Sequence, residues 1–125
     1  MCKCRDDRGE KKTVLLYACS GGANVAEIAD RAARDLMAEG KGVMFCAAGL
    51  GAEIDSMIET AKAADLNVVI DGCPMDCARK ILDKAGVASY RAVRVTDEGF
   101  EKVKGERATN DQVRKIKVRV EQELY

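Results

Sequence analysis

Three short apolar runs restrict this chain more than any other feature, because each ends in a turn and leads into helical spacing. "TVLLYA", "VMFCA" and "LNVVI" have strand length and almost no polar interruption. A strand that is apolar on both faces must be covered on both faces, which is the habit of parallel sheets. After the first run, Val25, Ile28, Ala32 and Leu36 recur at helical spacing to about Glu39. After the second, Ile54, Met57, Ile58 and Ala61 do the same. After the third comes "PMDCARKILDKA", closed by Gly86.

A fourth run, "YRAVRVT", alternates, and Arg91 and Arg94 interrupt it, so it reads as an edge strand. A charged loop, "EKVKGERA", leads to a last helix from Thr109 or Asn110, with Val113, Ile116, Val120 and Leu124 as its apolar stripe. Strand and helix thus alternate four times. That order predicts a single α/β domain over residues 13–125: a four-stranded parallel sheet with helices on both faces. The kind is flavodoxin-like or Rossmann-like, in strand order 2-1-3-4 with strand one central. Residues 1–12 are expected to form a flexible tail. Asn24 is a candidate cap for the first helix, and Pro74 suits the first position of the third, with Cys73 as its cap.

Composition narrows the chemistry. Lys+Arg and Asp+Glu both number 21, so no charge excess argues for nucleic acid or an acidic membrane. No long apolar span occurs, and the start "MCKCRDDRGEKK" is polar, which points to a soluble cytoplasmic protein. In that compartment six cysteines favour metal or thiol chemistry over a disulfide framework. Histidine is absent, which removes the usual general base and the usual nitrogen ligand.

The expected topology brings the cysteines together. Cys19 ends the first strand, Cys46 the second, and Cys73 follows the third, with Cys77 four residues on. In a parallel sheet all carboxyl ends share one edge, where such folds place their sites. On a helix, positions i and i+4 share a face, so Cys73 and Cys77 can approach one ion. Four thiolates form the ligand set of a zinc ion or an iron–sulfur cluster. Cys19 and Cys73 precede helix starts, where the dipole favours the thiolate.

Plainer roles compete with these. Cys46 or Cys77 taken singly is equally a small core residue. Gly21 and Gly22 in "CSGGAN", and Gly49 and Gly51 in "AGLGAE", offer backbone amides to an anion or a sulfur, or simply make the turns. "GLGAEI" lacks the third glycine of a dinucleotide fingerprint. Asp71 could orient a ligand or cap the turn, and Asp76 suits the first turn of its helix. Cys2 and Cys4 start on the wrong side of the sheet and are expected not to be ligands of the main site.

"VIDGCPMDCARK", with "ACSGGANVAEIA" and "CAAGLGAEI" upstream, resembles the DGC family of small zinc-binding proteins, over about Lys12 to Thr96. The resemblance implies zinc on Cys19, Cys46, Cys73 and Cys77, and implies no reaction. A closed four-sulfur zinc site has no open position for substrate, so enzymatic activity is not its evident use. A second reading is a thiol or persulfide carrier, or a redox protein, serving a sulfur- or metal-transfer partner. A third follows from "VLLYACSGGAN", which is similar to the cysteine phosphocarrier loop of sugar phosphotransferase IIB components. Low-molecular-weight phosphatases need an arginine where this chain has Val25.

Overall fold

The computed structural model describes residues 4–5 and 11–125. The main sheet has four parallel strands: β1 (Val14–Ala18), β2 (Val43–Met44), β3 (Leu66–Asp71) and β4 (Arg91–Arg94). Their adjacency is β2-β1-β3-β4, as the apolar patterns predict. A short antiparallel pair, Cys4–Arg5 with Lys11–Lys12, precedes the sheet; counting it changes the strand numbers and not the neighbours. The expected tail otherwise falls outside the described residues.

The two central strands are the ones with continuous apolar runs. Val14, Leu15, Leu16 and Tyr17 are fully buried, and fully burying an aliphatic or aromatic side chain contributes about 1.5–3 kcal/mol. On one face Leu16, Val68 and Ile70 pack with Ile28 and Leu36 of α1 (Asn24–Ala38) and Ile116 of α5 (Asn110–Glu121). On the other face Leu15, Tyr17 and Val69 pack with Leu50 of α2 (Ala47–Gly51), Ala61 of α3 (Asp55–Ala63) and Leu82 of α4 (Cys77–Lys84). The Tyr17 hydroxyl donates to Asn67 Oδ1 at 2.8 Å, and Asn67 Nδ2 donates to the Ala61 carbonyl at 2.9 Å. These bonds satisfy polar atoms that would otherwise carry the desolvation cost of burial.

Several boundaries differ from expectation, each for a local reason. The stretch "AGLGAE" is largely a short helix, α2, not an open turn. Leu50 is buried between the sheet and α4, and that packing winds the segment. The second strand is shorter than expected, although the Phe45 amide still donates to the Leu16 carbonyl at 2.7 Å. The third helix begins at Cys77, not Pro74. Asp76 sits in the left-handed region at φ 52, which a helix cannot include. Pro74 therefore lies in the preceding turn, and Cys73 does not cap the helix. Asn24 is not a cap either: Ala23 holds that position, and Asn24 is the first helical residue, buried. The last helix starts as predicted, behind a capping box formed by Thr109 and Gln112.

Candidate functional site

The chain leaves each parallel strand at the same edge, and the cysteines leave with it. Cys19 follows β1, and its amide donates to the Ile70 carbonyl at 3.1 Å, so the chain is still tied to β3 there. Cys46 follows β2, Cys73 lies in the turn after β3, and Cys77 opens α4. All are free thiols; Cys19 and Cys73 are half-buried, Cys46 and Cys77 exposed.

Two cavities divide these thiols. One of about 200 Å³ is lined by Cys19, Cys73 and Cys77 with Gly21 and Gly22. The other, about 550 Å³ and largely apolar, is lined by Cys19, Cys46 and Cys77 beside Met44 and Phe45. Cys19 and Cys77 belong to both, so they form the partition, with Cys46 on one side and Cys73 on the other. Among the described residues no three His, Cys, Asp or Glu side chains are gathered so as to hold a metal ion. The donor chemistry fits a soft metal, then, while the side chains stand apart. Cys73 and Cys77 are also not one turn apart on a helix face as expected, because α4 starts only at Cys77. Cys2 lies outside the described residues. The backbone of Cys4 pairs with Lys12, before β1, whereas Cys19 follows the far end of that strand.

Electrostatics at Cys19 run opposite to expectation. Burial pushes its thiol up to about 11, against the effect of the Gly72 amide, which donates to Sγ at 3.1 Å. Helix α1 starts only at Asn24, too far along for its dipole, which fades within the first turn, to favour the thiolate. Cys73 has a different neighbour: Lys102 Nζ lies 3.5 Å from its Sγ.

The aspartates hold the turn that carries Cys73. Asp71 ends β3 and is buried; its Oδ1 accepts from the Ala78 amide at 2.9 Å and its Oδ2 from the Arg79 amide at 3.0 Å. It thus caps α4 from the sheet, satisfying two amides left over at the helix start. Burial raises its carboxyl above the usual carboxylate range, with the two amides opposing. Asp76 is held below that range, chiefly by its hydrogen bonds from Arg94. Between them Gly72 passes close to α1: a β-carbon there would lie 2.9 Å from the Val25 carbonyl carbon and 3.0 Å from the Ala26 nitrogen. The glycine of the Asp-Gly-Cys run is required by that approach.

The other glycine and polar candidates separate by position. Gly21 and Gly22 line the smaller cysteine cavity. Gly49 and Gly51 lie in α2, facing Met57 and Ile81, and line neither cysteine cavity. Asn24 works as a clamp: its Oδ1 accepts from the Val103 amide at 2.7 Å and its Nδ2 donates to the Glu101 carbonyl at 2.8 Å. That clamp brings Lys102 to the cysteine edge. Sequence reasoning passed over Lys102, inside a charged loop, and read Arg94 only as an interruption of an edge strand. The signal for Arg94 was a cation at the carboxyl end of a strand next to "DGCPMDC".

A doubly wound parallel α/β domain with free thiols along the carboxyl edge of its sheet is the class this fold and edge define. The DGC domain family matches residues 15–120, and the chain belongs to that family. It is similar to the anaerobic and virulence modulator AnvM of Pseudomonas aeruginosa, with 29% identity over 110 residues, covering 88% of this chain and 84% of the relative. No solved structure matches significantly. No helix among the described residues is long and apolar enough to cross a membrane.

Proposed function

We propose that this protein binds a thiophilic metal ion, zinc first and an iron–sulfur cluster as the alternative, through Cys19, Cys46, Cys73 and Cys77. The observation that carries the reading is the arrival of four free thiols at one edge of the sheet from three separate strand ends, with Cys19 and Cys77 lining two cavities there. Neutral imidazole is unavailable anywhere in the chain, so soft sulfur is the natural donor set. Cys46 and Cys77 are exposed, so their side chains can turn toward a shared ion without opening a packed core. Bound zinc would cross-link the ends of β1, β2 and β3 and remove protons from the thiols, including the buried Cys19. The setting is the reducing cytoplasm, and the role is structural or one of metal storage and handover to a transfer protein.

Metal analysis of protein purified without air tests this. About one equivalent of zinc per chain is expected, lost with tight binding in Cys73→Ser and retained when residues 1–8 are deleted. Stoichiometric zinc at unchanged affinity in Cys73→Ser would remove that residue from the ligand set.

A second reading is favoured by one contact. Lys102 sits against Cys73 Sγ, a cation beside a sulfur that would carry negative charge as a persulfide. A thiol carrier would show one fast-reacting cysteine, Cys73, and weak zinc retention. The phosphocarrier reading needs Cys19 as nucleophile, and burial disfavours its thiolate.

A further inference from the structure

We propose that the cavity between the Ser20–Gly22 turn and the Gly72–Asp76 turn binds a small tetrahedral oxyanion of the sulfate class beside Cys73. The inference concerns the metal-free protein, because Cys19, Cys73 and Cys77 line this same cavity and a metal held by them would share its space. It begins with the amides. Among the described residues, the backbone N–H groups of Ser20, Gly21 and Gly22 on one wall, and of Cys73 and Met75 on the other, donate to no protein acceptor. Successive free amides around a concavity are anion-binding geometry.

The glycines give the second observation. Neither Gly21 nor Gly22 has a left-handed φ, and a β-carbon on Gly22 would meet nothing within 4 Å. Neither turn geometry nor packing therefore demands glycine at residue 22. What a missing side chain does provide is open access to the amides, as where backbone approaches a ligand closely.

Charge is the third. Lys102 and Lys104 line the same cavity, and neither is ion-paired with a carboxylate among the described residues. The loop that carries them is fixed by the Asn24 clamp and by the bridge between Ala23 and Lys104. The two carboxylates in the lining are engaged elsewhere: both Asp71 oxygens accept amides of α4, and both Asp76 oxygens are held by Arg94. The cavity lining thus offers an anion two lysines and five amides that have no protein acceptor. The volume, about 200 Å³, has room for a small ion and a few waters.

Calorimetric titration of the reduced, metal-free full-length chain with sodium sulfate, phosphate and thiosulfate, against sodium chloride at matched ionic strength, tests the proposal. One tetrahedral anion per chain is expected to bind, and a comparison of the three salts ranks their fit. Lys102→Met should weaken the binding roughly tenfold, the loss expected for one charge-assisted hydrogen bond. Gly22→Val should weaken it by placing a branched side chain at the cavity lining, and the melting temperature of the anion-free variant checks that the fold is kept. Equal responses to chloride, or unchanged sulfate affinity in both variants, would overturn the proposal.

Discussion

Arg94 grips Asp76 with two parallel hydrogen bonds, Nε to Oδ1 at 2.9 Å and Nη2 to Oδ2 at 2.6 Å. The partners come from different strand ends, β4 and the turn after β3, and the carboxylate side chain is only 15% exposed. Bidentate pairing of this kind is stronger and more directional than an ordinary surface ion pair. It also acts where the backbone needs help, since Asp76 occupies a left-handed conformation that disfavours non-glycine residues by about 1–2 kcal/mol. The pair therefore holds the turn that carries Cys73 against β4.

Replacing Arg94 with Met should lower stability, since it removes the paired hydrogen bonds to Asp76 and those to Asp97. Urea unfolding measures it. The pH dependence has a definite sign. Asp76 titrates below its ordinary value of 3.8 in the folded protein because Arg94 holds it charged. Its contribution is therefore complete above 3.8 and disappears as pH falls through the lower folded value. The stability gap between parent and Arg94→Met should be level from neutral pH to about 5 and shrink below 3.8. A gap that stayed constant to the acid limit would mean the guanidinium acts through packing alone.

Asp71→Asn should be more damaging than its small size change implies. The buried carboxylate accepts two α4 amides, one on each oxygen. An Asn offers one acceptor and turns a donor toward the other amide, leaving it unsatisfied. The expected loss is about 1–3 kcal/mol, the cost of an unpaired buried donor. Faster hydrogen exchange should appear at Ala78 and Arg79 in particular; unchanged protection there would show that Asp71 is not the cap.

Gly72→Ala tests the close approach of the turn to α1. The added methyl meets backbone atoms, Val25 C and Ala26 N, which cannot rotate away. Overpacking against backbone should cost about 1–3 kcal/mol. Gly49→Ala makes the comparison, because the atoms nearest its new methyl belong to the flexible end of Met57, which can turn aside. Thermal melts should separate the two variants clearly, and equal melting temperatures would refute the distinction.

Asn24→Ala removes the two side-chain hydrogen bonds from Asn24 to residues 101 and 103, while the backbone bond from the Asn24 amide to the Val103 carbonyl stays in place. The Val103 amide should lose protection in hydrogen exchange, while the centre of α1 keeps it. Because Lys102 lies between the two clamped residues, alkylation kinetics at Cys73 should change in this variant as they do in Lys102→Met. A response in one variant without the other would separate the loop's position from the lysine's charge.

What the sequence alone determined is whatever local spacing encodes. Continuous apolar runs marked β1 and β3 as central, alternation marked β4 as an edge, and strand–helix alternation implied a parallel sheet. Parallel strands end on a common edge, so the arrival of Cys19, Cys46 and Cys73 at that edge followed without coordinates. The start of α5 at Thr109 or Asn110 was legible for the same reason, and the capping box that fixes it lies within one helical turn. Tertiary structure decided everything that depends on contacts between distant segments. Asn24 reads as a helix cap until Val103, 79 residues away, claims its side chain. The start of α4 moves from Pro74 to Cys77 because Asp71 and Arg94, outside the helix, fix the preceding turn. The split of the four thiols between two cavities depends on side-chain placement to within an ångström or so, and helical or strand periodicity carries no such information. Lys102 reaches Cys73 only because the charged loop folds back over the start of α1. Spacing rules describe one element at a time, and these contacts exist only once several elements have packed.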